Sequence, residues 1–247
     1  MNHIDLQNIL FLDIETVSGE PNFDALSADM QELWANKTKW QRKEDTTAKE
    51  YYAERAGILA EFGKIVCISV GFIHYKDGMK NFRLRSFYNN DEALLLGEFA
   101  EMLKEKYFNH PRQVLCGHNA KEFDFPYICR RMLVNGISLP PILQIAGKKP
   151  WEIAHLDTME LWKFGDYKLY TSIKLLCAIF DIPTPKNDID GSMVSAVYWN
   201  DNDLKRIAKY CEKDVLATAQ IFMRFRNEKL LQDCLLYTSD AADDMAS

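Results

Sequence analysis

The first part of the chain contains one strongly apolar stretch and one strongly charged stretch. Residues 9–14 are apolar at both odd-numbered and even-numbered positions apart from Asp13. This is the pattern of a strand buried on both faces in the middle of a sheet. Residues 24–59 are charged, and their apolar positions recur with the period of a helix. We therefore predict a central first strand, followed by a helical insertion of two helices within residues 20–60.

Further strands and helices are predicted after the insertion. Two β-rich runs, residues 64–75 and 80–88, are separated by a Lys-Asp-Gly sequence, and Asp-Gly favours the backbone angles of a tight hairpin. Short apolar runs predict two more strands over residues 113–116 and 153–157. Apolar positions at helical spacing predict further helices at residues 91–108, 125–135, 172–180, 191–198 and 204–225. The predicted fold class is α/β.

Composition places the chain among globular proteins of ordinary size. Of its 247 residues, 47% are hydrophobic and 27% are charged, with 11 Gly and 8 Pro, which excludes collagen-like, low-complexity and wholly disordered classes. The longest apolar stretch, residues 65–73, is about half as long as a helix that crosses a bilayer. The first residues lack the basic start and apolar core of a secretion signal. We expect a cytoplasmic protein without a membrane partner.

The last residues differ in character from the rest. Residues 236–247 have no periodic apolar face, and they resemble translated cloning or adaptor sequence more than the end of a natural domain. We expect a single domain over residues 1–235, followed by a tail that is non-native or disordered.

Charge and cysteine spacing narrow the possible chemistry. The six cysteines are never closer than 13 residues, so no pair has the spacing of a zinc knuckle. The formal net charge is −6, whereas proteins that coat nucleic acid non-specifically usually carry a basic excess that displaces counterions. A nucleic-acid enzyme of this charge needs another source of positive charge.

Acidic side chains mark three places in the predicted fold. Asp13 and Glu15 share one face at the carboxyl end of the first strand, because side chains two apart in a strand point the same way. Asp124 follows the fourth strand at the start of a helix, where sites of α/β sheets assemble. Tyr210 and Asp214 lie one turn apart on the last helix. Taken singly, the acids are also explained by a solvated strand end, a helix N-cap and a solvated boundary residue.

Together the four acids favour a cation site. Carboxylates brought to one spot repel one another by about 4 kcal/mol per pair at ~4 Å and an effective dielectric of ~20. Ligands that are all oxygen favour hard divalent ions, Mg²⁺ or Mn²⁺. Such metals would supply the positive charge that the sequence lacks.

Three short motifs in this chain are similar to those of a known family. The motifs are D-x-E from Asp13 to Glu15, N-x(2-3)-[F/Y]-D from Asn119 to Asp124, and Y-x(3)-D from Tyr210 to Asp214. In this order they resemble the motifs of the DEDDy branch of DnaQ-like 3'-5' exonucleases. Over residues 8–226 the chain most closely resembles the predicted exonucleases related to the proofreading domain of family B DNA polymerases. The resemblance implies an RNase H-like fold, in which helices flank a mixed five-stranded sheet of strand order 3-2-1-4-5.

The resemblance also implies a role for each motif residue. Asp13, Glu15 and Asp214 would hold the metal that activates the attacking water. Asp13 would bridge to a second ion, which Asp124 would bind, and Tyr210 would orient the water beside the scissile phosphate. Two such divalent cations can activate water and neutralise the leaving oxygen in an in-line displacement.

Contacts with the substrate are expected around the first two motifs. Thr16, Val17, Asn119 and Phe123 match family positions near the 3'-terminal nucleotide, where an aromatic ring could stack on a base or wedge it. Packing in the core explains Phe123 equally well. The helical insertion departs from compact members of the superfamily, which usually have only a short connection after the first strand.

Three other polar residues next to strands have structural explanations. We interpret His118 and His155 as hydrogen-bonded residues that support the fold. We interpret Asp157 as fixing the end of the fifth strand rather than joining the metal site.

The function expected from these observations is a metal-dependent 3'-5' exonuclease that hydrolyses single-stranded DNA ends to nucleoside monophosphates. A role in proofreading or repair, in trans with a polymerase or repair partner, agrees with the resemblance. Two alternatives remain at this point. One is an exonuclease that processes RNA 3' ends, and the other is a non-catalytic module of the same fold that binds nucleic acid.

Overall fold

The structure, a computed structural model, describes residues 4–76, 78–106, 112–166, 170–183 and 188–231. Its strands in this part of the chain are β1 Ile9–Ser18, β2 Gly63–Lys76, β3 Met79–Tyr88, β4 Val114–Gly117 and β5 Leu156–Asp157. Its α-helices there are α1 Ala28–Thr38, α2 Ala48–Arg55, α3 Glu92–Lys106, α4 Asp124–Val134, α5 Thr158–Lys163, α6 Ile173–Ile179, α7 Val194–Ala196 and α8 Leu204–Phe225. None of these helices is both long enough and apolar enough to cross a membrane.

The five strands form one mixed sheet of order β3-β2-β1-β4-β5, which confirms the predicted strand order and fold class. β2 is antiparallel to both β1 and β3, whereas β4 is parallel to β1, and β5 is parallel to β4. The carboxyl ends of β1, β4 and β5 therefore lie along the same side of the sheet. In α/β sheets this is the side on which sites assemble.

β1 is central because helices cover both of its faces. Leu10 and Leu12 are fully buried in a cluster with side chains of α3 and α4. On the opposite face, Phe11 is fully buried against Phe222 of α8, and their ring centroids lie 5.9 Å apart. Burying an aliphatic or aromatic side chain of this size contributes about 1.5–3 kcal/mol. The pattern that predicted a doubly covered strand thus has its cause in two separate layers of helices.

The predicted helical insertion consists of α1 and α2, which share a small core. Trp34 and Tyr52 are almost fully buried and meet edge to face, with ring centroids 5.1 Å apart. Phe62, just before β2, also meets Trp34 edge to face, with ring centroids 5.0 Å apart. The indole nitrogen of Trp34 donates to the carbonyl of Ala48 at 2.8 Å, and a capping box at Thr47 begins α2. The insertion therefore packs as an ordered helix pair beside the sheet.

Two strands differ from the predicted ranges by three or more residues. β1 continues beyond residue 14 to Ser18, because its pairing with β2 extends through polar residues after a register shift between Glu15 and Thr16. β5 contains only Leu156 and Asp157, because the Asp157 side chain accepts backbone N–H groups at the start of α5 and so ends the strand.

The helices agree with the prediction to different degrees. α8 has the predicted bounds, whereas α5 was not predicted, because its six residues are too short to show a periodic face. The helix predicted over residues 191–198 is reduced to α7, which continues into a π-helical turn, Val197–Asp201. The predicted tail, residues 236–247, lies outside the described residues, as does Asp77 of the predicted hairpin turn. Gly78 beside it has a φ of 76°, as such a turn requires.

Candidate active site

Asp13 and Glu15 were predicted at the carboxyl end of the first strand, but they are the fifth and seventh of the ten residues of β1, on the face that α8 covers. The thiol of Cys211 on α8 lies 3.3 Å from the carbonyl oxygen of Asp13 and 3.4 Å from its Oδ2. Glu15 is only 7% exposed. The same alternation that buries Phe11 under α8 directs these two acids towards that helix. The first motif therefore faces the third.

Tyr210 and Asp214 lie one turn apart on α8, and the Tyr210 hydroxyl hydrogen-bonds the Asp214 carboxylate. The fully buried Ile207, Cys211 and Val215 hold the helix against the sheet. Because the neighbouring stripe of α8 is anchored in this way, Tyr210 and Asp214 are presented to the end of β1.

Asp124 begins α4, and a backbone N–H of β1 connects it directly to the first motif. The N–H of Ile14 donates to the Asp124 carboxylate, which is 4% exposed. The loop before α4 is anchored by Asp157, whose carboxylate accepts the backbone N–H groups of Asn119 at 2.9 Å and Lys121 at 3.0 Å. Asn119 itself has a positive φ of 62°. The turn between β4 and α4 thereby carries Asp124 to the side of Asp13.

The motif residues line one cleft of about 800 Å³. Its walls contain all four acids and the motif tyrosine: Asp13, Glu15, Asp124, Tyr210 and Asp214. Asn119 and Phe123, two of the predicted substrate contacts, line the same cleft. The structure thus brings together residues that are as far apart in sequence as positions 13 and 214.

The other two predicted substrate contacts do not line the cleft. Val17 is fully buried in the cluster with Val66 and Cys67, so its side chain is not available to a nucleotide. The hydroxyl of Thr16 hydrogen-bonds Tyr127 on the other side of the strand. A register shift in the pairing with β2 lies between Glu15 and these two residues.

The acids of the cleft are electrostatically unfavourable neighbours. Burial raises the pKa of Asp13 well above its ordinary value, and the nearby Asp124 and Asp214 raise it further. The pKa of Glu15 is raised in the same way, first by burial and then by Asp13 and Asp214. Burial raises the pKa of Asp124 to about 7 and that of Asp214 to about 6. Divalent cations would relieve this cost, because they favour the charged form of every carboxylate that they touch.

The donor set fits hard divalent ions and adds one ligand of another kind. Carboxylate oxygens are the ligands that Mg²⁺ and Mn²⁺ prefer. In the described part of the chain, one oxygen each of Asp13 and Glu15 and the sulfur of Cys211 lie within 4.8 Å of one another. Cys211 was not predicted as a ligand, because it falls on the apolar stripe of α8, a position typical of the core. Its position directly after Tyr210 was the available signal.

The remaining polar residues near the strands have partners within the fold. His118 hydrogen-bonds the hydroxyl of Thr158 at 2.9 Å and the carbonyl of Thr171 at 2.8 Å, and burial lowers its pKa. His155 bonds the carbonyl of Ile142 at 2.8 Å, and burial lowers its pKa to about 4. His118 thus connects the end of β4 to the segments around Thr158 and Thr171, and His155 connects the start of β5 to the segment around Ile142.

Tyr170 lines the cleft and was not predicted. Its side chain is 68% exposed, and its ring meets that of His118 edge to face at 6.5 Å. It lies between α5 and α6, outside any helix or strand, so no periodic pattern in the sequence indicates it.

A solved structure resembles this fold. The structure of the family B DNA polymerase from the hyperthermophilic archaeon Pyrobaculum calidifontis matches with a TM-score of 0.53 over 88% of this chain, at 19% sequence identity. The chain spans 24% of the length of that polymerase chain. At this identity the match shows a shared fold. A search of curated proteins finds no match.

The family comparison covers the second and third motifs. Residues 58–238 match the sequence model of a family described as a predicted 3'-5' exonuclease related to the exonuclease domain of PolB. Asp13 and Glu15 precede the matched region, and the fold supplies them from β1 to the same cleft. Since the match covers more than half of the chain, and the acids of all three motifs meet in one place, the chain belongs to this family of predicted 3'-5' exonucleases.

Proposed function

We propose that this protein is a metal-dependent 3'-5' exonuclease that removes nucleotides from single-stranded DNA ends and releases nucleoside monophosphates. We further propose that residues 1–235 form the exonuclease domain, and that it acts in trans, in proofreading or repair, with a polymerase or a repair protein as partner. The family is one of predicted 3'-5' exonucleases, which supports the reaction class.

One observation carries the proposal, namely the convergence of four buried or half-buried acids from three elements on one cleft. A protein that only needs to fold gains nothing from this arrangement, because Asp124 and Asp214 raise the pKa of Asp13, and Asp13 and Asp214 raise that of Glu15. Such crowding is retained where carboxylates bind cations or exchange protons. A nucleic-acid-binding module has no comparable use for it, because acids repel the phosphate backbone.

The four acids of the cleft would bind two metal ions. Asp13, Glu15 and Asp214 would hold one divalent cation, Mg²⁺ or Mn²⁺. Asp13 and Asp124 would hold a second. Two such ions supply an activated water and neutralise charge on the leaving oxygen. Carboxylates crowded in this way attract cations, which supply positive charge that a protein of net charge −6 does not have in excess.

Tyr210 and the walls of the cleft would position the substrate. The Tyr210 hydroxyl, held by Asp214, would orient the attacking water beside the scissile phosphate. Asn119 and Phe123 line the same cleft and would contact the 3'-terminal nucleotide, with the Phe123 ring offering a stacking surface. Thr16 and Val17 would act through the backbone of β1, because their side chains have other contacts.

The test is a time course on matched single-stranded DNA and RNA oligonucleotides labelled at the 5' end. The full chain is incubated with Mn²⁺, with Mg²⁺ and with a chelator. We expect a ladder of DNA products that shortens from the 3' end and is absent with the chelator. Asp214→Asn should remove the ladder. Glu98→Gln, which changes an exposed acid of α3 away from the cleft, should keep it.

Each alternative gives a different result in this assay. A ladder on RNA alone would replace the DNA enzyme with an enzyme that processes RNA 3' ends. Persistent binding in a gel shift without any ladder would indicate a non-catalytic module. A ladder that is unaffected by the chelator would contradict the metal-dependent mechanism.

A further inference from the structure

Cys211 places a soft ligand inside the proposed hard-metal site. Its side chain is fully buried on the inner face of α8, and its thiol lies 3.4 Å from Oδ2 of Asp13. The sulfur and one oxygen each of Asp13 and Glu15 lie within 4.8 Å of one another. A thiolate with two carboxylates is a ligand set that suits Zn²⁺ and softer ions better than Mg²⁺.

The separations fit a tetrahedral ion of this kind. Zn²⁺ with a Zn–S distance of about 2.3 Å and Zn–O distances of about 2.0–2.2 Å holds its sulfur and oxygen ligands roughly 3.6 Å apart. The distance of 3.4 Å between Sγ of Cys211 and Oδ2 of Asp13 is close to this value. A small adjustment of side chains is therefore sufficient for both atoms to bind one cation.

Glu15 points to a ligand independently of the thiol. The side chain is more than nine-tenths buried and lines the cleft. One of its carboxylate oxygens lies within 4.8 Å of both an oxygen of Asp13 and the sulfur of Cys211. A carboxylate buried beside a second carboxylate is costly unless a cation binds both.

We propose that Asp13, Glu15 and Cys211 form a site for a thiophilic divalent cation, represented by Zn²⁺ and Cd²⁺. On binding, Sγ forms the metal–sulfur bond, and the thiol proton is released to solvent without any change of oxidation state. The fourth position of a tetrahedral ion remains open to water or an anionic group. In consequence, these ions compete with Mg²⁺ or Mn²⁺ for the oxygens of Asp13 and Glu15 and inhibit hydrolysis. This last consequence rests on the proposed function, whereas the cation site does not.

The test is a titration of the full chain with Cd²⁺ under reducing conditions, followed by the ultraviolet charge-transfer absorption of a cadmium thiolate. We expect one equivalent to produce the band in the original chain. Cys211→Ser should abolish the band, and Glu15→Gln should weaken binding at least about tenfold, because a direct ligand is lost. Cys129→Ser, a thiol of α4 that bonds the carbonyl of Leu143, is the matched control and should keep the band.

Cys67 provides the sharpest alternative. It is fully buried and hydrogen-bonds Cys211, so it is the nearest competing thiol. A band that survives Cys211→Ser and disappears in Cys67→Ser would overturn the proposal, and so would the absence of any band in the original chain. Circular dichroism of each variant, with Cys211→Ala as a second substitution, shows whether loss of the band follows from loss of the fold.

The inhibition is measured separately from binding. In the DNA assay with Mn²⁺, the rate of each chain is expressed relative to its own rate without Zn²⁺. The Zn²⁺ concentration that halves this relative rate should be at least about tenfold higher in Cys211→Ser than in the original chain. If no chain hydrolyses DNA but the band requires Cys211, the proposed function fails and the cation site stands. If hydrolysis occurs and the band is absent, the cation site fails and the proposed function stands.

Discussion

Both faces of β1 are largely buried, but they carry different kinds of side chain. On the face towards α3 and α4, Leu10, Leu12 and Ile14 pack in a continuous apolar cluster. On the face towards α8, the buried Phe11 is followed by Asp13 and Glu15. The face towards α3 and α4 is thus apolar from Leu10 to Ile14, whereas the face towards α8 carries two acids between the buried Phe11 and Val17.

The difference shows how this fold can contain buried acids and remain stable. Burial raises the pKa of Asp13 and Glu15, which means that their ionised forms are disfavoured inside the protein. The apolar face and the anchored stripe of α8 keep the acids together despite this cost. Stability and chemistry are therefore separable on one strand, and single substitutions on each face should change one without the other.

The largest effect is expected from Asp13→Asn on the acidic face. The side chain keeps its shape but loses the charge that would bind both ions, which removes several kcal/mol of transition-state stabilisation, a rate loss of about a thousandfold or more. The free energy of unfolding should stay equal or rise, because a buried charge is removed. Rates on a 5'-labelled DNA oligonucleotide and a urea unfolding curve measure the two quantities. A variant with near-normal rates would exclude the two-ion site.

Leu12→Ala is the corresponding change on the apolar face. Leu12 is fully buried, so its truncation should lower the free energy of unfolding by about 2–5 kcal/mol. The rate per folded molecule should change little, because the acids lie on the opposite face of the strand. Urea unfolding and an assay at a temperature where the variant remains folded provide the measurements. If the rate falls as far as in Asp13→Asn, the two faces are not separable.

Elements that depend on apolar periodicity were predictable from the sequence. α8 was predicted at its observed bounds, because its buried stripe runs unbroken from Ile207 to Phe222. The start of β1 was predicted correctly, because its first residues are apolar on both faces. The end of β1 was not predicted correctly. The polar residues up to Ser18 stay in the strand because β2 continues beside them, which is a tertiary contact that local pattern does not contain.

The acids of the cleft were predictable as candidates, and their surroundings were not. Sequence spacing predicted that Asp13 and Glu15 share one face, and that Tyr210 and Asp214 lie one turn apart. It could not predict the contact between Cys211 and Asp13, which are 198 positions apart in the sequence. Tyr170 reaches the cleft from an irregular segment. Such neighbours are determined by how helices dock on the sheet, so they become visible only in three dimensions.

The acidic face should also make the metal-free protein less stable as the pH rises. In the folded chain, burial raises the pKa of Asp214 to about 6 and that of Asp124 to about 7, above the ordinary carboxyl value. Between the ordinary value and these raised values, the folded state binds more protons than the unfolded state. The free energy of unfolding therefore falls as the pH rises through this window.

Urea unfolding with a chelator measures this effect at about pH 5 and about pH 7.5, on either side of the raised values. We expect a higher midpoint at the lower pH, and a smaller difference when Mn²⁺ is present. Asp124→Asn should flatten the dependence, whereas Glu98→Gln should leave it as it is. A midpoint that rises with pH in the chelator would have the opposite sign to that expected from the cleft acids.

The smallest effects are expected from removing single hydroxyl groups on the two faces. Tyr210→Phe keeps the ring in the cleft but loses the bond to Asp214 and the orientation of the attacking water. A loss of positioning alone should lower kcat about 10- to 100-fold, less than the loss of a metal ligand. The hydroxyl bond also lowers the pKa of Asp214, so the variant should need more Mn²⁺ to reach its maximal rate.

Tyr127→Phe is the matched control on the apolar side of β1. Its hydroxyl donates to the carbonyl of Gly57 at 2.7 Å, so its removal should cost about 1 kcal/mol of stability and leave kcat unchanged. Steady-state rates at saturating Mn²⁺, measured for both variants together with their unfolding curves, separate the two roles. Equal rates in Tyr210→Phe and the original chain would remove the hydroxyl from the mechanism, because no other property of that side chain differs between the two. We expect a loss of rate only in Tyr210→Phe and a loss of stability only in Tyr127→Phe. That result would mean that the hydroxyl on the acidic face contributes to catalysis, whereas the hydroxyl on the apolar face contributes to folding.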